Sequence, residues 1–128
     1  MRAGKTNRVP KTRANATWTE AAWWSFLRSG LRRMSRMWPP IGAFKRRHRR
    51  PYKGPNKRRK WEYQCDVCEH WFADDETRID HIVPCGRLAS EADIQGFVLR
   101  LFVEECGLRS ICETCHERRH KIGLGETT

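Results

Sequence analysis

The 128 residues carry 26 Lys/Arg against 15 Asp/Glu, a net charge of +11. That length suits one domain with an extension, not two ordinary domains. No apolar run approaches the ~18–20 residues of a membrane span. Six cysteines without an apolar N-terminal leader point to metal ligation, not to secreted disulfides. The chain is expected to be soluble, cytoplasmic and without membrane association.

The charge is divided. Residues 1–61 hold 19 Lys/Arg and one acid, Glu20, whereas residues 62–128 hold 7 and 14. A basic arm joined to a folded domain has this asymmetry, and nucleic acid is its expected polyanion.

Residues 1–16 are polar and aperiodic, a disordered basic tail. Thr17-x-x-Glu20 has the form of a capping box, with Thr19 a rival cap, so a helix is predicted over 17–38. Trp24, Leu27, Leu31, Met34 and Trp38 share one side of it. Arg28, Arg32, Arg33 and Arg36 share the other, available to phosphates. Pro39-Pro40 ends it. Residues 39–60 form a basic arm. Lys45, Arg46, Arg47, Arg49, Arg50, Lys53, Lys57, Arg58, Arg59 and Lys60 fall in sixteen residues without an acid, an extended segment suited to a phosphate backbone.

Trp61–Gln64 and Trp71-Phe72 read as strands around Cys65-x-x-Cys68. Asp74–Glu76 reads as a turn. Thr77–Val83 alternates with Ile79, His81 and Val83 inward. A helix is predicted from Ser90 to about Glu105, with Ile94, Phe97, Val98, Leu101 and Phe102 buried. A strand at Leu108–Ile111 and a helix from Glu113 to about Ile122 complete an α+β domain over 61–122, with a short tail over 123–128. Cys65, Cys68, Cys112 and Cys115 form two CxxC pairs with 43 residues between them, the spacing of a four-thiolate structural zinc site with no open position. Cys85 and Cys106 are left over, and His70 reads as a surface residue.

Between the zinc half-sites stand Asp80 and His81, neighbours whose side chains oppose each other unless the strand ends there. His116 and His120 lie four apart, on one face of the last helix, where two imidazoles can address one metal. Arg118 and Arg119 add charge for a scissile phosphate.

Asp80-His81-Ile82-Val83-Pro84 with Leu108-x-x-Ile111-Cys112-x-x-Cys115-His116 resembles the HNH nuclease motif and its zinc cysteines. The resemblance covers about residues 61–122, and the basic extension is similar to those of small phage-encoded HNH proteins. It implies a ββα-metal, treble-clef-like fold and an endonuclease acting on DNA. Asp80 would bind the catalytic cation, His81 would be the general base, and His116 would be a metal ligand with His120 assisting. The cation would be Mg²⁺ or Mn²⁺, or Ni²⁺ or Zn²⁺ if both histidines ligate. Gly107 stands where the family has an asparagine that orients the base, so a backbone carbonyl or water would have to replace it. Three alternatives follow for partners and role: a non-cleaving zinc-stapled binding module, an accessory factor of a phage packaging terminase, and a homodimer cutting both strands. If phage-encoded, the protein would act in the host cytoplasm.

Overall fold

The structure, a computed structural model, describes residues 8–126, with side chains through Arg119. It is mixed α+β, and none of the described helices is long and apolar enough to cross a membrane.

Within the expected disordered tail, Lys11–Arg13 forms a strand, β1, that turns back onto Trp18–Thr19, β2. Ala14, Asn15 and Ala16, all at positive φ, make the reversal. Glu20 accepts from Arg13 Nε at 2.5 Å, and the same guanidinium lies 3.7 Å from the Trp23 ring centroid. The one acid of the basic half thus holds its N-terminal hairpin to the next helix, an order that low hydrophobicity and high charge did not announce.

Helix α1 spans Glu20–Ser35. Thr19 caps it in place of Thr17, its hydroxyl accepting from Ala22 N at 3.1 Å and satisfying an otherwise orphaned amide. Trp24, Leu27 and Leu31 pack on Cys85, Leu88, Phe97 and Leu101, so the stripe covers the chain's own second half. Met34, from the same stripe, is exposed. Arg28 also departs from expectation: it is half-buried and donates to the Leu88 carbonyl at 3.1 Å, while Arg32, Arg33 and Arg36 stay exposed.

Pro39-Pro40 starts a helix as well as stopping one. Helix α2 spans Pro39–His48, because proline's fixed φ and missing amide suit a helix's first turn. Lys45, Arg46 and Arg47 therefore sit on a helix, not on the extended arm expected for them. Phe44 is buried and stacks on His48 at 4.0 Å, and Trp38 donates to the Val103 carbonyl at 2.6 Å.

Extended chain begins after His48. Strands β3 (Arg50–Pro51), β4 (Trp61–Gln64) and β5 (Trp71–Ala73) form an antiparallel sheet in that order, with Pro51 tolerated on its edge. Glu62 joins arm to sheet. It is buried, accepts from Arg50 Nε at 2.5 Å, and accepts from the Lys53 amide at 3.3 Å. Burial pushes its pKa up, but Arg50 and the Lys53 amide outweigh that and hold it below the usual carboxylate range.

A 3-10 turn at Asp74–Glu76 leads to β6 (Thr77–His81), which pairs antiparallel with β7 (Leu108–Cys112) from Thr77↔Cys112 to His81↔Leu108. Between them, α3 spans only Ile94–Leu101. The Asp93 carboxylate turns back to the Ala89 amide at 3.0 Å, and a 3-10 turn over Glu91–Asp93 replaces the expected first helical turn. Phe97 and Leu101 are buried; Ile94 and Val83, both expected inward, are exposed. Helix α4 (Glu113–Glu126) leaves β7 without a linker.

Candidate metal centre and active site

The two CxxC turns are brought together by β4, β5 and β7. Cys65 directly follows β4, Cys68 closes the turn, Cys112 ends β7, and Cys115 lies in the first turn of α4. Amides of Val67 and Cys68 donate to Cys65 Sγ at 3.4 Å, and the Cys115 amide donates to Cys112 Sγ at 3.4 Å. The four sulfur atoms lie within 4.8 Å of one another, with Cys68 and Cys112 at 4.0 Å. A tetrahedral shell with metal–sulfur bonds of ~2.3 Å places its sulfurs roughly 3.8 Å apart, so these residues are positioned to hold one metal ion.

The thiols differ in ionisation. Burial raises the Cys65 thiol, but the amides of Cys68, Cys112 and Val67 outweigh it and bring it down to about 6. Cys115 is pushed up to about 12 by burial and by the neighbouring sulfurs. Four thiolates cannot crowd together without a cation to neutralise them. Among the described residues, this is the one group of three or more Cys, His, Asp or Glu donors that converges in this way.

Asp80 and His81 occupy the end of β6, and their environments differ. Asp80 stands opposite Arg109 in the sheet register, and its Oδ2 lies 3.7 Å from Arg109 Nη2. Arg119, from α4, donates to the same carboxylate oxygen and to the His81 carbonyl, the latter at 2.9 Å. His81 turns the other way. Its Nε2 lies 2.9 Å from the Leu101 carbonyl, a partner that only accepts, so Nε2 carries a proton. Hydrogen bonding to the Cys85 thiol raises the His81 pKa; burial lowers it; the Leu101 carbonyl and the Asp80 charge raise it further, and the net is upward.

Gly107 stands beside this arrangement, its carbonyl accepting from the Ile82 amide at 2.9 Å. A Cβ at position 107 would lie 2.3 Å from Val103 Cγ2. Val103 thus fills the space a side chain would need.

His116 is half-buried on α4, and Asp80, His81 and His116 do not gather as a three-donor cluster. The reading of His120 lies outside the described side chains. Arg118 is exposed, whereas Arg119 is turned inward onto Asp80 and so is not poised for a phosphate as expected. The spacing carried that signal: Arg119 is four residues beyond Cys115, on the same inward face. Arg109 and Cys85 were not singled out for the site, although Arg109's register opposite Asp80 follows from the alternation of the two strands.

The basic residues divide too. Arg47 pairs with Glu105 at 2.7 Å, Arg50 with Glu62 at 2.5 Å, and Arg59 with Asp75 at 3.0 Å. Arg49 lies over Trp61 at 3.9 Å, and Lys45 is half-buried. Arg46, Lys53, Lys57, Arg58 and Lys60 are exposed and have no ion-pair partner among the described residues. No family of known proteins matches the chain, and neither a curated protein nor a solved structure matches it.

Proposed function

We propose that the chain is an HNH-type, metal-dependent endonuclease that hydrolyses DNA phosphodiester bonds, with a zinc ion held by Cys65, Cys68, Cys112 and Cys115. The observation that carries this reading is the His81 Nε2–Leu101 carbonyl contact of 2.9 Å. It fixes one tautomer of a histidine placed between the zinc half-sites and beside a carboxylate, without the family's asparagine.

On this reading, Nδ1 of neutral His81 takes a proton from water, and the hydroxide attacks phosphorus in line with the 3′-oxygen. The products carry 5′-phosphate and 3′-hydroxyl ends. Arg109, within 3.7 Å of Asp80, contributes positive charge beside the developing phosphorane. Asp80 supplies a hard oxygen donor suited to Mg²⁺ or Mn²⁺, and His116 an imidazole that would accept Ni²⁺ or Zn²⁺ as well. As arranged, Arg119 holds the Asp80 carboxylate, so such an ion must displace a guanidinium. Once bound, it would supply Lewis-acid charge at the phosphate.

The Asp80–Arg119 pair also favours a second reading, a zinc-stapled DNA-binding module without cleavage. The terminase-accessory reading drew on an exposed Trp/Met stripe, of which Met34 is exposed whereas Trp24, Leu27 and Leu31 are packed on the chain itself. Incubation of supercoiled plasmid with Mg²⁺, Mn²⁺ or Ni²⁺ separates the two. Nicked or linear product that vanishes with EDTA and falls at least about 100-fold in His81→Ala, at DNA affinity within a few-fold of wild type, is expected for the nuclease. Tight binding without product under every metal assigns the module.

A further inference from the structure

A cleft of 740 Å³ opens between α2, the first CxxC turn and the β6–β7 pair. It adjoins the candidate active site, because Ile82 and Arg109 form part of its wall, one following His81 and the other facing Asp80. The size falls in the range of built small-molecule sites, large enough for a whole nucleotide unit. The cleft's chemistry is mixed in an informative way.

Trp71 supplies an aromatic wall. Arg50, which is not part of the cleft, lies over the Trp71 ring at 3.5 Å. One face of the indole is thereby covered by a cation, and the remaining ring surface is left to the cleft. Arg47, His48 and Arg109 also line it, with Arg47 paired to Glu105 at 2.7 Å. Arg109 is under-partnered: its Nε is buried without an acceptor among the described residues, and its Nη2 reaches Asp80 only at 3.7 Å. A guanidinium held this loosely can turn to a phosphate ester. Asp66 and Glu69 also line the cleft; they disfavour a phosphate there but accept hydrogen bonds from the amino groups of a base. Aromatic surface and acids suit a base, and Arg109, beside Asp80, suits its phosphate.

We infer that the cleft receives a single unpaired nucleotide of the DNA substrate, its base against Trp71 and its phosphate towards Arg109, so that the protein selects duplexes with an unpaired base. This deepens the nuclease reading and rests on it for the meaning of the neighbouring site. A fully paired base cannot enter, because its faces are occupied by stacking.

The test uses the zinc-loaded full chain without added divalent cation. Two labelled duplexes are compared: one fully paired, one with a single bulged 2-aminopurine. Anisotropy should show the bulged probe binding about tenfold tighter or more, with 2-aminopurine fluorescence quenched on saturation by contact with Trp71. Trp71→Leu should abolish the preference and the quench at paired-duplex affinity within about threefold. Equal affinity of wild type for both probes, an unquenched bulge, or a preference that survives in a folded Trp71→Leu would overturn the inference. Displacement of the bulged probe by micromolar free deoxynucleoside monophosphate would overturn it too, assigning the cleft to a free nucleotide. Plasmid cleavage reports on the nuclease reading separately. A chain that prefers the bulge but never cuts loses that reading and keeps the cleft, and a chain that cuts but binds both probes alike does the reverse.

Discussion

Replacing Gly107 by asparagine would restore the residue that the resembling family carries, yet the structure predicts a loss. The new Cβ would lie 2.3 Å from Val103 Cγ2 and 3.3 Å from Cγ1. Valine cannot swing away cheaply, since branching at Cβ leaves it few rotamers. Overpacking of this kind costs about 1–3 kcal/mol. Removing glycine's freedom in the unfolded chain returns about 0.4–1 kcal/mol. The net expectation centres on a destabilisation of about 1.3 kcal/mol and reaches about 2.6 kcal/mol at most, the central value being a fall in Tm of roughly 4–8 °C at this chain length. Thermal and urea melts of zinc-saturated protein measure it. Val103→Ala removes both clashing methyls, so the double variant should be more stable than the sum of the two singles, a positive coupling of about 1 kcal/mol. A Gly107→Asn protein that melts with wild type, or strict additivity with Val103→Ala, would refute the account of why glycine stands there.

Loss of the metal centre should be severe. Cys112→Ser or chelation removes a closure that contributes ~10 kcal/mol or more in small metallo-domains, and a soluble variant with unchanged melting would contradict it. Neutralising Lys53, Lys57, Arg58 and Lys60 should reduce the slope of log affinity against log salt by roughly 3–4 for duplex DNA, with an unchanged slope placing the phosphate contacts elsewhere. Glu62 has a folded pKa below its unfolded value, so its contribution is present above the unfolded pKa and lost as pH falls through the folded one. Glu62→Gln should therefore cost about 1.5–3 kcal/mol near neutrality and melt with a shallower acid dependence; parallel pH profiles would rule this out.

Local rules carried much of the fold. The two CxxC pairs gathered four cysteines, the alternation of Thr77–His81 gave β6, and the apolar spacing of Trp24, Leu27 and Leu31 gave the packed face of α1. What escaped was tertiary or ambiguous. Pro39-Pro40 is compatible with stopping a helix and with starting one, and only the burial of Phe44 decides. Glu62 looked like one polar residue in a strand, because its partner Arg50 lies twelve residues upstream in a segment read as tracking a phosphate backbone. At the site, Asp80 and His81 were legible as a pair, but the partners each one meets were not. The contact of Arg119 with Asp80 depends on how α4 leaves the sheet, and the acceptor for His81 is a backbone carbonyl, which no side-chain motif encodes.

That departure angle has a consequence of its own. Cys112 is the last residue of β7 and Cys115 lies in the first turn of α4, so a metal ion bound there would clamp the elbow between strand and helix. Arg119 rides one turn further along the same rod, with its tip on Asp80. A small rotation at the elbow is magnified at that tip, as in a lever pivoting about the thiolates. Metal occupancy at the cysteines would then set the electrostatic state of a carboxylate a helical turn away, before any strand has separated.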